Sequence, residues 1–336
     1  MIKLGVIGTN WISHQFVDGA LSTKKYQLTG VYSRKQATAQ DFAKEHVDTC
    51  FTTDDLQAFV SSAEVDVLYI ASPNRLHFEQ AKAAIVNGKS VIVEKPAFSN
   101  PAEMEEIIQL ANQKKVFFFE AARNIHEKNF QKVLAELPPK NQVKGAAFTY
   151  MKYSSRYDEV LQGKEPNIFS LAFSGGSLMD LGVYLVYAAV AWFGSPKTVD
   201  YFAQKIVTGV DGSGFAILRY EAFDVLLHHG KTGDSFAKSE IYLAEGTLEL
   251  DGVNAIQEAV FYNRKTKETS FLELEKGHAN PLYEEAVDFA QVLMHSDEQK
   301  WLDTYESWVE LAREVNLVLY ELRKKAGIVF PADKKE

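Results

Sequence analysis

The segment Gly8-Thr9-Asn10-Trp11-Ile12-Ser13 follows an apolar run and has the partial pattern of a phosphate-binding loop. A dinucleotide-binding turn carries Gly-x-Gly-x-x-Gly between a strand and a helix. Here Asn10 and Ser13 replace the second and third glycines; Asn10 tolerates a left-handed backbone, and Ser13 is small enough for close helix packing. The helix start would offer N–H groups and a positive dipole to pyrophosphate. An ordinary strand-to-helix turn is the alternative.

The next apolar run ends in Ser33-Arg34-Lys35, which bears on the choice of dinucleotide. NAD-selective sites often place Asp or Glu here to bind the ribose 2′-hydroxyl. A hydroxyl and a guanidinium suit a 2′-phosphate instead, because Arg offers a planar fork of donors. The sequence therefore favours NADP, held by Ser33 and Arg34, and leaves NAD possible. A solvated basic helix start is the alternative.

Two further segments carry side chains that can assist proton transfer. Glu94-Lys95-Pro96 follows another apolar run, so Lys95 is expected beyond the carboxyl end of a parallel strand, where α/β sheets bind ligands. Pro96 restricts Lys95 to extended conformations. Asp180 and Tyr184 are four positions apart in a helical pattern and are expected to share a face. A surface loop and an amphipathic surface helix are the alternatives.

The elements that must position these residues alternate through residue 122. Short apolar runs at 4–7, 28–32, 65–71, 91–93 and 116–119 are separated by helical patterns. This alternation predicts a parallel sheet covered by helices on both faces. Asn100-Pro101 predicts a helix start, and Asn87-Gly88 predicts a helix end.

Beyond residue 140 the pattern changes to successive extended segments at 143–153, 197–207, 214–228, 236–250 and 258–274. Strands that follow strands predict an antiparallel sheet. One helix, 176–193, interrupts them, and helices at 282–294 and 304–325 close the chain. We predict a Rossmann dinucleotide-binding domain over 1–122. The C-terminal α/β domain, 123–336, has a largely antiparallel open sheet, and its final helix is expected to pack back on the first domain.

Composition restricts the function classes. The chain has 336 residues, 46% hydrophobic and 24% charged, with a net charge of −9 and no basic tract. We therefore expect no nucleic-acid or membrane partner. Cys50 is the lone cysteine, which excludes an intramolecular disulfide and fits a reducing compartment. The N-terminal apolar run is too short for a signal peptide. No 18-residue apolar stretch is evident, so a cytoplasmic protein is expected. No cluster suggests a metal site.

Three segments together resemble the Gfo/Idh/MocA family of nicotinamide-dependent oxidoreductases over essentially the whole chain. They are Ala71-Ser72-Pro73-Asn74-Arg75-Leu76-His77, Gly88-Lys89-Ser90-Val91-Ile92-Val93-Glu94-Lys95-Pro96 and Gly175-Gly176-Ser177-Leu178-Met179-Asp180-Leu181-Gly182-Val183-Tyr184. The resemblance implies redox chemistry on sugars, cyclitols or related alcohols, and therefore a small-molecule, carbohydrate-like substrate. It also implies a homo-oligomer, a dimer or a tetramer, because the open sheet of the family often mediates assembly.

The same resemblance implies roles for individual residues. Ser72, Pro73, Asn74, His77 and Glu94 would border the cofactor, and Lys95 would contact both cofactor and substrate. Asp180 and Tyr184 match the second-domain pair that faces the nicotinamide. Many members have His where this chain has Tyr184. The tyrosine form resembles the branch that contains dihydrodiol dehydrogenases and glucose-fructose oxidoreductase.

Chemistry follows from these side chains. Tyr184 is the candidate acid/base, because the Lys95 cation would favour its phenolate form and stabilise a developing alkoxide. Asp180 would orient the substrate hydroxyl or Lys95. The leading hypothesis is an NADP(H)-dependent dehydrogenase or reductase of a sugar, polyol or dihydrodiol. A cofactor-binding regulator without turnover and an enzyme that retains its cofactor while shuttling hydride between two sugars are the alternatives.

Overall fold

A computed structural model describes residues 1–334, which form two compact units. The first unit comprises Met1–Arg123 and His278–Arg313, and the second comprises Asn124–Gly277 and the chain from Glu314 onward. The break at Arg123 lies one residue from the predicted boundary. Residues 278–313 belong to the first unit, although the sequence placed them in the second domain. The reason is packing: the helices of this segment cover the first sheet.

The first unit contains a six-stranded parallel sheet in the order 3-2-1-4-5-6, the order of a Rossmann fold. The predicted fold class is therefore confirmed. The three-residue edge strand was not predicted, because it is too short to stand out as an apolar run. The strands are β1 (Ile2–Ile7), β2 (Tyr26–Tyr32), β3 (Phe51–Thr53), β4 (Val67–Ile70), β5 (Ser90–Glu94) and β6 (Phe118–Ala121).

Helices are numbered along the whole chain. Two helix boundaries agree with their sequence signals: the Asn100 side chain accepts a hydrogen bond from the Glu103 N–H at 3.0 Å, and Val86 ends the helix before Asn87-Gly88. The helices are α1 (Trp11–Ser22), α2 (Gln36–His46), α3 (Leu56–Ser61), α4 (His77–Val86), α5 (Pro101–Lys114), α6 (Lys128–Glu136), α7 (Tyr157–Leu161), α8 (Val183–Phe193), α9 (Tyr283–Met294) and α10 (Gln299–Lys325).

Apolar cores lie on both faces of the six-stranded sheet, so its strands carry buried side chains in both directions. Late segments of the chain complete one face. The Phe289 ring packs against Phe119 with centroids 4.8 Å apart, and the Tyr26 hydroxyl donates to the Ala286 carbonyl at 2.9 Å. The Phe118 N–H donates to the Tyr305 hydroxyl at 3.2 Å. The first core therefore depends on α9 and on the start of α10.

The second unit contains an eight-stranded sheet in the order 14-13-12-11-7-10-9-8, antiparallel except between β7 and β10. The prediction of a largely antiparallel sheet is confirmed. Three predicted extended segments, 214–228, 236–250 and 258–274, are each two strands joined by a turn. The strands are β7 (Val143–Met151), β8 (Thr198–Lys205), β9 (Asp211–Arg219), β10 (Asp224–Gly230), β11 (Ser239–Leu243), β12 (Gly246–Leu250), β13 (Ala259–Asn263) and β14 (Thr269–Phe271).

The two faces of this sheet differ. One face packs against α8, where Phe148 meets the Trp192 ring edge-on with centroids 5.5 Å apart. The other face exposes large apolar side chains that the strand register places on one side. These are Phe202, Phe215, Leu226, Tyr242 and Tyr262.

The stretch Leu171–Phe193 is long and apolar enough to pass as a membrane span by length and composition, with 83% of the apolar window buried inside the protein. The expectation that no 18-residue stretch of this kind exists was therefore wrong. Its burial is that of a core helix, since the stretch packs within the second unit.

A buried ion pair fastens the chain end of the second unit. The Arg323 guanidinium donates to both carboxylate oxygens of Asp333, at 2.8 and 3.2 Å, and stacks 3.8 Å from the Phe330 ring centre. Both side chains are almost wholly inaccessible to solvent, at 1% and 7% exposure. Removal of either partner would break a buried ion pair, which is costly.

We predict that Asp333→Asn lowers the free energy of unfolding by roughly 3–5 kcal/mol, because the Arg323 charge stays buried without its carboxylate. Urea unfolding followed by circular dichroism measures the change. Asp224→Asn is the control: Asp224 pairs with Arg219 on an exposed surface, and its loss should cost less than about 1 kcal/mol. Equal costs for the two variants would contradict the assignment.

Candidate active site

The predicted cofactor residues follow four adjacent strands of the first sheet at their carboxyl ends. Ile7 of β1 pairs with Tyr32 of β2 and Ile70 of β4, and Ile70 pairs with Val93 of β5. Since these strands are parallel, the segments that follow them lie along one edge of the sheet. The structure thus brings together Gly8, Thr9, Asn10, Trp11, Ile12, Ser33, Arg34, Ser72, Pro73, Asn74, Glu94 and Lys95.

Gly8 makes the close approach that a phosphate loop needs. Its φ is +100°, and a Cβ there would lie 2.7 Å from the Ala71 carbonyl oxygen, so a larger residue would not fit. Asn10 is extended (φ −90°, ψ 178°) rather than left-handed. Its side chain accepts from the Ser13 N–H at 3.2 Å and donates to the Ala71 carbonyl at 2.7 Å. Asn10 therefore acts as the helix cap, where the sequence suggested left-handed backbone.

The start of α1 fits a pyrophosphate. Helix geometry leaves the N–H groups of Trp11 and Ile12 without an acceptor in the preceding turn. Thr9 and Ile12 are partly accessible and Trp11 is 73% exposed, while Ser13 is wholly buried beneath the loop, as its small size predicts. Gly8, the N–H groups of Trp11 and Ile12 and the dipole of α1 together suit a bound dinucleotide phosphate.

Ser33 and Arg34 lie where β2 ends. The Ser33 N–H donates to the Thr53 carbonyl of β3 at 3.3 Å, which fixes the backbone of this turn. The Arg34 side chain is exposed and makes no ion pair with the residues that the structure describes. A guanidinium held at this edge without an acidic neighbour can accept a phosphate as its partner.

His77 joins two of the cofactor-side segments. Its Nε2 lies 2.7 Å from the Ser72 carbonyl oxygen after β4, and its Nδ1 lies 3.2 Å from the Ala97 carbonyl oxygen after β5. Burial lowers the pKa of His77 to about 4, although its carbonyl partners act in the opposite direction. His77 is 1% exposed, so it is a buried residue and does not lie on the surface of α4. Its contacts position Pro73 and Asn74.

Glu94 is a buried carboxylate beside Lys95. The Tyr69 hydroxyl donates to Glu94 Oε1 at 2.5 Å. Burial raises the pKa of Glu94, while the charges of Lys95 and Arg123 act in the opposite direction. The Lys95-Pro96 peptide bond is cis. The Ala97 N–H that follows donates to Glu120 Oε1 at 2.9 Å, so two carboxylates fix this turn on either side of Lys95.

The second unit carries Asp180 and Tyr184 at the start of its buried helix. A π-helical turn, Leu178–Gly182, leads into α8. Every residue from Ser177 to Val190 is buried except Asp180 and Tyr184, so the two predicted polar residues are also the two accessible ones. The amphipathic surface helix is therefore excluded. π-turns recur at functional sites because they break the regular display of side chains.

The sheet beneath fixes this helix start. The Asp211 carboxylate accepts from the Leu178 N–H at 2.6 Å and from the Tyr201 hydroxyl at 2.7 Å. His229, which is wholly buried, contacts the Ser177 hydroxyl at 2.8 Å through Nδ1. A Cβ at Gly182 would lie 3.0 Å from the His229 ring, so glycine permits this approach. Burial lowers the pKa of His229 to about 3.

Sequence reasoning missed Lys231. The Lys231 ammonium forms an ion pair with Asp180, and its side chain is 6% exposed against 26% for Asp180. It follows His229 by two positions and so shares the inner face of the sheet. The Tyr150 ring packs edge-on against Tyr184, with centroids 5.9 Å apart. The sequence does show a lysine in the turn Gly230-Lys231-Thr232-Gly233, but no local pattern identifies Asp180 as its partner.

No group of three or more His, Cys, Asp or Glu side chains within residues 1–334 is arranged to hold a metal ion. His228 and His229 do point to opposite faces, as their adjacency in a strand predicts: His228 stacks on Phe215 on the outer face, with ring centroids 4.1 Å apart.

A parallel sheet in Rossmann order with a phosphate loop at its carboxyl edge defines a dinucleotide-binding class of protein. Residues 2–122 match the family model described as "Oxidoreductase family, NAD-binding Rossmann fold" (GFO_IDH_MocA). The chain belongs to the Gfo/Idh/MocA family, and the resemblance found in its motifs is confirmed. It is an oxidoreductase with an NAD(P)-binding Rossmann domain.

Two relatives are similar over almost their whole length. The chain is 38% identical to "Uncharacterized oxidoreductase YgjR" of Escherichia coli (strain K12), over 99% of both chains. It is 36% identical to "scyllo-inositol 2-dehydrogenase (NADP(+)) IolU" of Bacillus subtilis (strain 168), again over 99% of both. The fold is also that of KijD10, a 3-ketoreductase from Actinomadura kijaniata solved with NADP and TDP-benzene. That match has a TM-score of 0.81 at 19% identity and covers 96% of this chain and 97% of the other.

We predict that acidification destabilises the first unit through His77. The folded ring stays neutral down to a pKa of about 4, whereas the unfolded ring takes up a proton near its ordinary value of 6.5. The unfolded state therefore binds more protons between these values, and stability falls as the pH is lowered through this window. The full effect is about 3 kcal/mol.

Urea unfolding of the wild type and of His77→Gln at a series of pH values measures the effect. The variant should be less stable at neutral pH and should lose less stability on acidification. His278→Gln removes an exposed histidine of the same unit and should leave the pH dependence unchanged. Parallel curves for the wild type and His77→Gln would refute the prediction.

Proposed function

We propose that the protein is an NADP(H)-dependent dehydrogenase or reductase that acts on an alcohol carbon of a cyclic polyol or sugar. The observation that carries the proposal is the selective exposure of Asp180 and Tyr184 in an otherwise buried helix. A carboxylate and a phenol at an accessible π-turn are suited to binding a hydroxyl and moving its proton. The named activity of the IolU relative supports a cyclic polyol; a dihydrodiol remains a candidate substrate.

Three side chains have separate roles in this proposal. The nicotinamide, when bound, accepts or donates the hydride. Tyr184 takes the hydroxyl proton during oxidation and returns it during reduction. Lys95 stabilises the charge that develops on the substrate oxygen. Asp180 accepts a hydrogen bond from a substrate hydroxyl and so orients the ring.

The cofactor preference rests on the end of β2. Ser33 and the exposed Arg34 supply a hydroxyl and a guanidinium there, and no Asp or Glu occupies the turn Ser33-Arg34-Lys35. These groups favour the 2′-phosphate of NADP over the 2′-hydroxyl of NAD. The NADP(+) in the name of IolU supports the same choice.

We also propose that the protein acts in the cytoplasm as a homo-oligomer, a dimer or a tetramer, without membrane or nucleic-acid partners. The exposed apolar side chains on the outer face of the second sheet support self-association. The net charge of −9 and the lone Cys50 support the remaining assignments.

Titration of the purified protein with NADPH and NADH tests the dinucleotide site. Trp11, exposed at the start of α1, should transfer excitation energy to a bound nicotinamide. We expect tighter binding of NADPH than of NADH, and we expect Arg34→Asp to weaken NADPH binding about 10- to 100-fold, because a charged hydrogen bond is replaced by repulsion.

Lys44→Asp is the matched control, since it makes the same charge change at an exposed side chain of the same unit. Its NADPH affinity should stay near that of the wild type. Preferential NADH binding would leave the enzyme class intact and overturn the 2′-phosphate assignment. Binding of neither dinucleotide by folded protein would overturn the proposed function.

Turnover tests the role of Tyr184. We expect Tyr184→Phe to reduce kcat about 10²- to 10⁴-fold, because the phenol that moves the proton is removed while the ring is kept. Scyllo-inositol, other cyclic polyols, aldose sugars and a dihydrodiol, each with NADP⁺, form the substrate panel. Tyr262→Phe, on the exposed outer sheet face, is the control. Near-normal turnover by Tyr184→Phe would contradict this role and would assign the proton transfer to Lys95 or to water.

A further inference from the structure

Lys231 is held in place by backbone on both sides. Its N–H donates to the Gly212 carbonyl at 2.7 Å, and its carbonyl accepts from the Ser154 N–H at 3.0 Å. The residue therefore continues the strand pairing just beyond β10. Its side chain points inward, like that of His229, and its ammonium lies 5.9 Å from the Phe169 ring centre. Backbone and ring together leave the ammonium little freedom to move.

Two contacts from this strand set the orientation of the helix start. His229 reaches Ser177, and Lys231 reaches Asp180. The two strand residues are two positions apart, and the two helix residues are three positions apart. The two contacts therefore occur in the same order along the strand and along the helix. The first contact is between groups that carry no net charge, because burial keeps His229 neutral. The second is between two full charges.

A buried ammonium is costly unless it is paired, and such a pair is often no better for stability than apolar packing. Stability alone therefore does not explain why a lysine occupies position 231. The asymmetry of exposure suggests another role: the lysine is enclosed, while about a quarter of the Asp180 side chain faces outward. Because the enclosed Lys231 ammonium is paired with it, the Asp180 carboxylate stays ionised and keeps its orientation.

We propose that Lys231 is the positioning residue that holds Asp180 ionised and aimed at a substrate hydroxyl. This inference rests on the proposed function, in which Asp180 binds that hydroxyl. Lys231 itself does not touch substrate or cofactor. It acts through Asp180 alone, and the pair selects a substrate with a hydroxyl donor next to the reacting carbon, such as a vicinal polyol. Once fixed, the carboxylate accepts from that donor without reorienting.

Steady-state kinetics with scyllo-inositol and NADP⁺ test the inference in five proteins: wild type, Lys231→Met, Lys231→Arg, Asp180→Asn and the double variant of Lys231→Met and Asp180→Asn. We expect Lys231→Met to reduce kcat/KM for the polyol about 10²-fold, as loss of alignment does, with an unchanged Kd for NADPH. Lys231→Arg should retain most of the wild-type kcat/KM, because the positive charge is kept. The double variant should be no worse than Asp180→Asn alone, because Lys231 acts through Asp180. It also contains no unpaired charge, which keeps the test valid if Lys231→Met folds poorly.

Lys238→Met is the control, since Lys238 pairs with Glu258 on the surface of the same unit; its kinetics should match the wild type. Wild-type kinetics for Lys231→Met, or losses that multiply in the double variant, would overturn the inference. A uniform loss of NADPH binding would also overturn it, because that pattern indicates a general structural role.

A second readout separates this inference from the proposed function. Carboxyl ¹³C NMR, with the Asp180 signal assigned by its absence from Asp180→Asn, reports the pH at which that carboxylate takes up a proton. Lys231→Met should raise this pH, since a neighbouring cation is lost. If the wild type oxidises nothing in the panel, the proposed function fails, and the titration alone decides: a shifted titration supports the positioning role, and an unshifted one overturns it.

Discussion

The parallel order of the first sheet is the constraint on which the cofactor residues depend. Each strand returns through a helix, so β1, β2, β4 and β5 end at the same edge although they are far apart in the chain. Gly8 then allows the first turn to press against the backbone at Ala71. His77 and Glu120 tie the turns after β4 and β5 to the framework. Few residues are therefore needed to assemble this edge, because the strand order itself brings the cofactor residues together.

The second unit positions its polar residues differently. There a mixed sheet supports one buried helix, and contacts from β9, β10 and the turn beyond β10 determine how that helix begins. Asp211 caps the helix start, His229 fills the space opened by Gly182, and Lys231 balances the charge of Asp180. Each is a long-range contact to a strand that follows the helix in the chain. The accessible pair Asp180 and Tyr184 is thus supported by residues that themselves stay out of solvent.

Local pattern was enough to predict the strands with apolar runs, the Asn100 cap and the shared accessibility of Asp180 and Tyr184. The same pattern predicted one extended segment at each of three places where the structure has a hairpin. The turns of these hairpins, such as residues 220–223, contain no glycine or proline to mark a break. The capping role of Asn10 was missed although its signal is local, since Asn is a preferred N-cap residue and accepts from the Ser13 N–H three positions on. Lys231 was missed for a different reason: its partner, Asp180, lies 51 positions earlier in the chain.

The discontinuity of the first unit has a consequence for how the chain is made. Ribosomal synthesis delivers the six strands early, but Phe289 and Tyr305, which cover Phe119, emerge only after the whole eight-stranded sheet has been translated. Until then an apolar face of the nascent sheet stays uncovered and open to aggregation or to chaperones. The second unit is also discontinuous, because its part from Glu314 onward is translated after the segment that completes the first unit. A fragment cut at residue 122 would carry that bare face permanently.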